Sequence, residues 1–170
     1  MFLGKYMSAD LMLCDLRAKN KADVIEQLVD LFAQAGVVED KENFGDTIRK
    51  REKLESTAIG KGVAIPHGRS GDVKELKVAF ARSKQGVDFK AVDKQPVSLF
   101  FMIAAPETAQ KEYLQLIAKI ARLSKSRVMR EALQNVTNPR EVLELIQDFD
   151  KMLVEDIKVK TKQGRVLYRE

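Results

Sequence analysis

The sequence predicts an α/β fold, a single domain with a mixed β-sheet flanked by helices on both faces. Three observations carry that prediction. Stretches with apolar residues at helical spacing alternate along the chain with short apolar runs of strand length. Residues 97–105 are apolar almost without interruption, as in a strand covered on both sides. The 170 residues suffice for one full hydrophobic core without disulfide staples.

The elements follow in order. Residues 21–35 read as an amphipathic helix, with Val24, Ile25, Leu28, Leu31, Phe32 and Ala35 on one face. Asn20 is placed to cap its start and Gly36 its end. A second helix over about 41–52 turns Phe44 and Ile48 inward. Val63-Ala64-Ile65 reads as a short strand running into Pro66 and His67. Leu76 to Ala81 suits a strand with Leu76, Val78 and Phe80 on one face. The apolar strand 97–105 is bracketed by Pro96 and Pro106. A long helix over about 108–123 is expected to bury Leu114, Ile117, Ile120 and Ala121. Shorter helices over 127–134 and 140–149 complete the domain, with Pro139 at a helix start.

Residues 1–150 form this domain in the sequence reading, and 151–170 form a basic extension, either a hairpin or a flexible arm. Ile157-Lys158-Val159-Lys160 and Arg165-Val166-Leu167-Tyr168 would be its strands. Residues 157–170 carry five basic side chains against one acid, which is +4 of the formal +5. The basic balance is therefore a property of the tail, and nucleic acid is not expected as a partner of the main domain. A tail that binds nucleic acid or a membrane surface is a further reading of the same charge. No stretch has the roughly 20 apolar residues of a membrane span, and the N-terminus lacks the pattern of a signal peptide. The single cysteine, Cys14, forms no internal disulfide and excludes a cysteine-rich zinc site. These features point to the cytoplasm. No metal or cofactor is called for, and Asp88 and Asp93 suit a turn better than catalysis.

The chemistry concentrates around His67, the one histidine of the chain. A neutral imidazole keeps a lone pair at pH 7 and forms a labile N–P bond, so it suits transient storage of a phosphoryl group. Such a site needs positive charge and hydrogen-bond donors. Arg51 offers a guanidinium fork, Ser56 and Thr57 offer hydroxyls, and Gly60 and Gly62 allow backbone amides close to an anion. On the residues alone other readings stand beside this one. A lone histidine also fits a hydrogen-bonded loop or core position. Arg51 also fits a solvated helix face in the run 49–53, and the glycines also fit turns.

The run Arg51-Glu52, then Ser56 through Gly68 (STAIGKGVAIPHG), resembles the active-site signature of fructose/mannitol-type enzyme IIA domains of the phosphoenolpyruvate-dependent sugar phosphotransferase system. The nitrogen-regulatory branch of that family is similar. The resemblance continues through Gly86-Val87-Asp88-Phe89, Val92-Asp93, Pro96-Val97 and Ala105-Pro106-Glu107, covering roughly residues 8 to 150. It implies that His67 is phosphorylated by an HPr-like carrier and that Arg51 stabilises the phosphoryl group. It implies onward transfer to a cysteine of a separate IIB protein, or signalling of the phosphorylation state to a regulatory target. One departure stands out. By register, Tyr113 occupies the place where many members carry a second histidine facing the first, and it equally fits an ordinary residue of the amphipathic helix. A phenol stays neutral at pH 7 and supplies no cation there.

Overall fold

In the computed structural model, which describes residues 1–162 and the side chains of residues 1–155, a six-stranded mixed sheet lies between two helical layers. The helices are α1 (Lys21–Gln34), α2 (Lys41–Leu54), α3 (Gln110–Ser124), α4 (Arg127–Gln134) and α5 (Pro139–Lys162). The strands are β1 (Met12–Leu13), β2 (Ala58–Gly60), β3 (Val63–Ala64), β4 (His67–Arg69), β5 (Lys77–Val87) and β6 (Val97–Ala105). Two 3₁₀ turns, Leu3–Tyr6 and Ala9–Leu11, open the chain.

The sheet order is β1-β5-β6-β3-β2, with β4 also paired to β6. β5 and β6 form the antiparallel centre, in register at Phe80 and Phe101. Alternation along these strands feeds two cores. Ala79, Ala81, Phe100 and Met102 pack under α1 and α2, while Val78, Phe80, Phe101 and Ile103 pack under α3, α4 and α5. Each large apolar side chain buried this way contributes roughly 1.5–3 kcal/mol. The continuous apolar run of β6 is thereby explained, since both its faces are covered.

The start of α1 is capped as its sequence signal suggested, and α2 has a cap of the same kind. The Asn20 side chain accepts the Asp23 N–H at the start of α1, and Asp40 accepts the Asn43 N–H at the start of α2. Three expectations change. Leu114 on α3 is 55% exposed; Ile120 is buried as expected, Ile117 and Ala121 are partly buried against the same core, and Leu116 and Leu123 are buried beside them. β5 runs six residues past Ala81, its register shifting between Arg82 and Val87. Finally, α5 does not stop near residue 149, and it continues through residues 151–162, where a hairpin strand or flexible arm was expected. Neither glycine nor proline lies between Arg140 and Lys162, so nothing local stops that helix. Residues 163–170, with the second proposed strand, lie outside the described residues. Among the described residues no helix is long and apolar enough to cross a membrane.

For the site, the decisive feature is β4. It pairs with β6 through His67↔Ile103 and Arg69↔Ala105, continuing the line of β3, and among the described residues no strand lies on its other side. Ile65 and Pro66 interrupt the ladder between β3 and β4. His67 thus sits at an open sheet edge, where both helical layers reach it.

Candidate functional site

His67 and Arg69 share one face of β4, and Gly68 points to the other. Partner Ile103 belongs to the core beneath α3, so the imidazole faces that layer. There the Tyr113 ring of α3 meets it edge-on, with centroids 5.5 Å apart and planes inclined by 67°. On the opposite face Gly68 is buried against α2. A Cβ there would lie 3.1 Å from both Thr47 Cγ2 and Ile48 Cδ1. That close approach brings the last turn of α2, with Arg51, around the open edge toward the imidazole.

His67 Nδ1 lies 2.6 Å from the carbonyl oxygen of Ile65. A carbonyl only accepts, so Nδ1 carries the proton and Nε2 carries the lone pair. Nε2 has no partner among the described residues, and it is not sealed from solvent. Burial holds the imidazole below its usual pKa. The Ile65 hydrogen bond opposes this, the Arg51 charge adds to it, and the Glu52 charge opposes it. The ring is therefore neutral at pH 7 with an accessible nucleophilic nitrogen.

Arg51 is tethered, with Nη1 donating to the carbonyl of Glu55 at 2.7 Å, just past the end of α2. It has no carboxylate partner among the described residues, and it leaves further N–H groups for an anion. Its positive charge is felt both at His67 and at Tyr113. Tyr113 is half-buried, which pushes its phenol above the usual value, while Arg69 and Arg51 pull it back. It stays neutral.

The remaining sequence candidates sit elsewhere or are already engaged. The Thr57 hydroxyl and N–H both donate to the carboxylate of Glu52, so Thr57 is not free to bind phosphate. Ser56 Oγ donates to the Phe89 carbonyl at 2.8 Å and accepts the Ala58 N–H. Gly60 and Gly62 form the β2–β3 turn at positive φ. Asp93 closes that turn by accepting the Lys61 N–H at 3.0 Å and the Gln95 N–H at 3.1 Å. The Gly62 carbonyl bonds the amides of Ser98 and Leu99, whereas His67 lies beside Ile103. At 3.3 Å per residue the glycines are roughly 13 Å or more from the imidazole. Their conformational freedom serves the turn, and the carboxylate beside Gly60 is the internal one of Asp93. Asp93 shapes a turn, as its sequence context suggested.

Two residues of the site were given no role by sequence reasoning. Glu52 is only 7% exposed, and it binds Thr57 on one side and Lys21 Nζ, at 2.9 Å, on the other. The available signal was spacing, because Glu52 continues the Phe44–Ile48 stripe of α2 by one more step of four. Arg69 is exposed, with its guanidinium carbon 5.8 Å from the Tyr113 ring centroid. Its signal was the two-residue step from His67 along a strand. Cys14 is partly exposed, and burial pushes its thiol up despite Arg82 nearby, which argues against a nucleophile.

Comparison with known proteins converges on one family. The family model described as "Phosphoenolpyruvate-dependent sugar phosphotransferase system, EIIA 2" matches residues 5–149. The fructose-specific EIIABC component of Bacillus subtilis is 34% identical over 137 residues, which is 81% of this chain and 22% of that protein. The chain thus spans about a fifth of the length of that relative. Among solved structures, the nitrogen regulatory protein IIA-Ntr from Neisseria meningitidis superposes with a TM-score of 0.79 at 33% identity, covering 84% of this chain and 97% of that one. Enzyme IIAMTL of Escherichia coli, solved in complex with phosphorylated enzyme IIBMTL, gives 0.72 at 25% identity, covering 84% and 97%.

Proposed function

This chain belongs to the EIIA 2 family of the phosphoenolpyruvate-dependent sugar phosphotransferase system, and on that premise we propose that it carries a phosphoryl group on Nε2 of His67. The observation that carries the assignment is the imidazole itself, with its Nδ1 proton committed to Ile65 and Nε2 open on the side shared with Arg51 and Tyr113.

The transfer follows from this geometry. The Nε2 lone pair attacks phosphorus, and the N–P bond of a phosphohistidine donor breaks with its electron pair returning to the donor ring. The His67 ring becomes cationic, keeps its Nδ1 proton, and is stabilised through the N–H···O=C contact to Ile65. Arg51 neutralises charge on the phosphoryl oxygens in flight. No proton needs to leave His67 for the step to balance.

The donor is an HPr-like carrier, and the protein works in the cytoplasm. Residues 1–150 are the carrier unit, with 151–170 an extension from it. The output is regulatory, with the phosphoryl group adding a charge of about −1.5 to −2 at an open edge and changing which target protein docks there. Tyr113 supports this output, since no second imidazole stands beside His67 to assist departure. Transfer to the cysteine of a separate IIB protein is the second reading, and it is favoured by the complex formed by the Escherichia coli relative.

Incubation with phosphoenolpyruvate, enzyme I and HPr should place acid-labile phosphate on the wild type and none on His67→Gln. Labelling that survives in His67→Gln would sink the assignment. Adding a purified IIB protein separates the two outputs, because rapid loss of label to its cysteine favours transport.

A further inference from the structure

Two guanidinium groups, not one, converge on the Tyr113 side of His67. Arg51 arrives from α2 and is anchored at 2.7 Å to Glu55. Arg69 arrives from β4 itself, on the same face as His67 and about 6.6 Å further along the strand. That spacing is within the span of an arginine side chain. Arg69 is exposed and weakly held. Its guanidinium lies over the Tyr113 ring, and Nη1 reaches the Glu107 carbonyl only at 3.5 Å. No carboxylate pairs with it among the described residues. An unpaired, loosely held cation so close to an anion's landing place has little to keep it away.

We propose that Arg69 is the second phosphate-binding cation of the site: when His67 Nε2 carries the phosphoryl group, Arg69 swings from Glu107 and grips its oxygens opposite Arg51. The proposal rests on the carrier reading of His67. It also accounts for Tyr113. A neutral phenol brings no charge, but its ring face parks a guanidinium that does. Arg51, fixed by Glu55, sets the geometry of attack, and Arg69 closes after it as a movable clamp. Arginine suits this role because its planar fork can take two oxygens of one phosphoryl group.

The test compares wild type, Arg69→Gln and Arg69→Lys with phosphoenolpyruvate, enzyme I and HPr as the phosphorylating system. Three quantities are read: the rate of labelling at His67, the half-life of the label, and the second ionisation of the bound phosphoryl group by phosphorus NMR. Arg69→Gln should slow labelling roughly five- to tenfold and shift the phosphoryl ionisation to higher pH. Arg69→Lys should restore part of both. The exposed position of Arg69 predicts an unchanged melting temperature, and a merely structural role would leave the phosphoryl ionisation where it was. Equal rates and an unshifted phosphoryl titration in Arg69→Gln overturn the proposal while leaving the carrier reading intact. A wild type that takes no label at His67 overturns both.

Discussion

The ring centre of Tyr113 stands 5.5 Å from that of His67, with the two planes inclined by 67°. The contact fills space and positions the imidazole, but it adds no charge at neutral pH, because a phenol ionises only near pH 10 and burial raises that value further. Replacing the ring with one that can ionise tests what this costs. Tyr113→His should raise the rate of onward transfer about tenfold, most strongly below about pH 6.5, where an added imidazole becomes cationic. Tyr113→Phe, which keeps the ring, should stay within about twofold of wild type. Single-turnover chase of labelled protein with an acceptor measures both, and a Tyr113→His variant no faster than Tyr113→Phe would assign the position to packing alone.

The depressed pKa of His67 has a signed consequence for stability. Burial, aided by Arg51, makes the folded protein bind the imidazole proton less readily than the unfolded chain does. Between the folded pKa and the unfolded value near 6.5, the unfolded state holds more protons, so stability rises with pH across that window. It is fully present above about 6.5 and is lost as pH falls through the folded value. Urea midpoints from pH 5 to 8 should therefore fall on the acid side in wild type, and less steeply in His67→Gln. Parallel curves would place the acid sensitivity on other groups. Phosphoryl acceptance should likewise persist to lower pH than free histidine allows.

Much of this architecture was legible because it follows simple periodicities. The stripe of α1, the cap at Asn20, and the apolar run of β6 each encode their own surroundings. The motif singled out His67 and Arg51, and the fold brings the Arg51 charge to bear on the imidazole. What the sequence hides is which hydroxyls are spent. Ser56 and Thr57 look like free donors until the fold places a carbonyl and a buried carboxylate against them. Gly60 and Gly62 lie near His67 along the chain, yet the parallel pairing of β3 and β4 on β6 carries them away along the sheet. Arg69 and Glu52 act across elements, so local spacing only hints at them.

Glu52 is the internal anchor of the site. Its carboxylate receives the Thr57 N–H and hydroxyl and the Lys21 ammonium, joining α1, α2 and the approach to β2. Lys21 in turn lies 4.6 Å above the Phe89 ring. Glu52→Ala strands a buried N–H and an ammonium, and it should cost about 2–4 kcal/mol of unfolding free energy. Glu52→Gln keeps an acceptor for Thr57 and should cost about half of that. Denaturant titration gives the values. A Glu52→Ala loss below about 0.5 kcal/mol would mean that water replaces the carboxylate without penalty.

Gly68 couples the fold to the chemistry. It is the residue between His67 and Arg69, and its missing side chain lets Thr47 and Ile48 of α2 press against β4. A methyl group there would sit 3.1 Å from a carbon of each, a distance that neighbours must relieve by moving. The backbone of β4 is held by β6, so α2 is the part that yields, and Arg51 lies one turn further along α2. Gly68→Ala should therefore cost about 1–3 kcal/mol in stability. It should also slow phosphorylation at His67 by roughly tenfold or more, since small misplacements of a charged clamp are expensive in rate. Because the two effects share one cause, a compensating Thr47→Ser change, which removes the crowded Cγ2 and leaves Ile48 Cδ1 in place, should recover part of both together. Recovery of stability without recovery of rate would show that α2 does not set the position of Arg51.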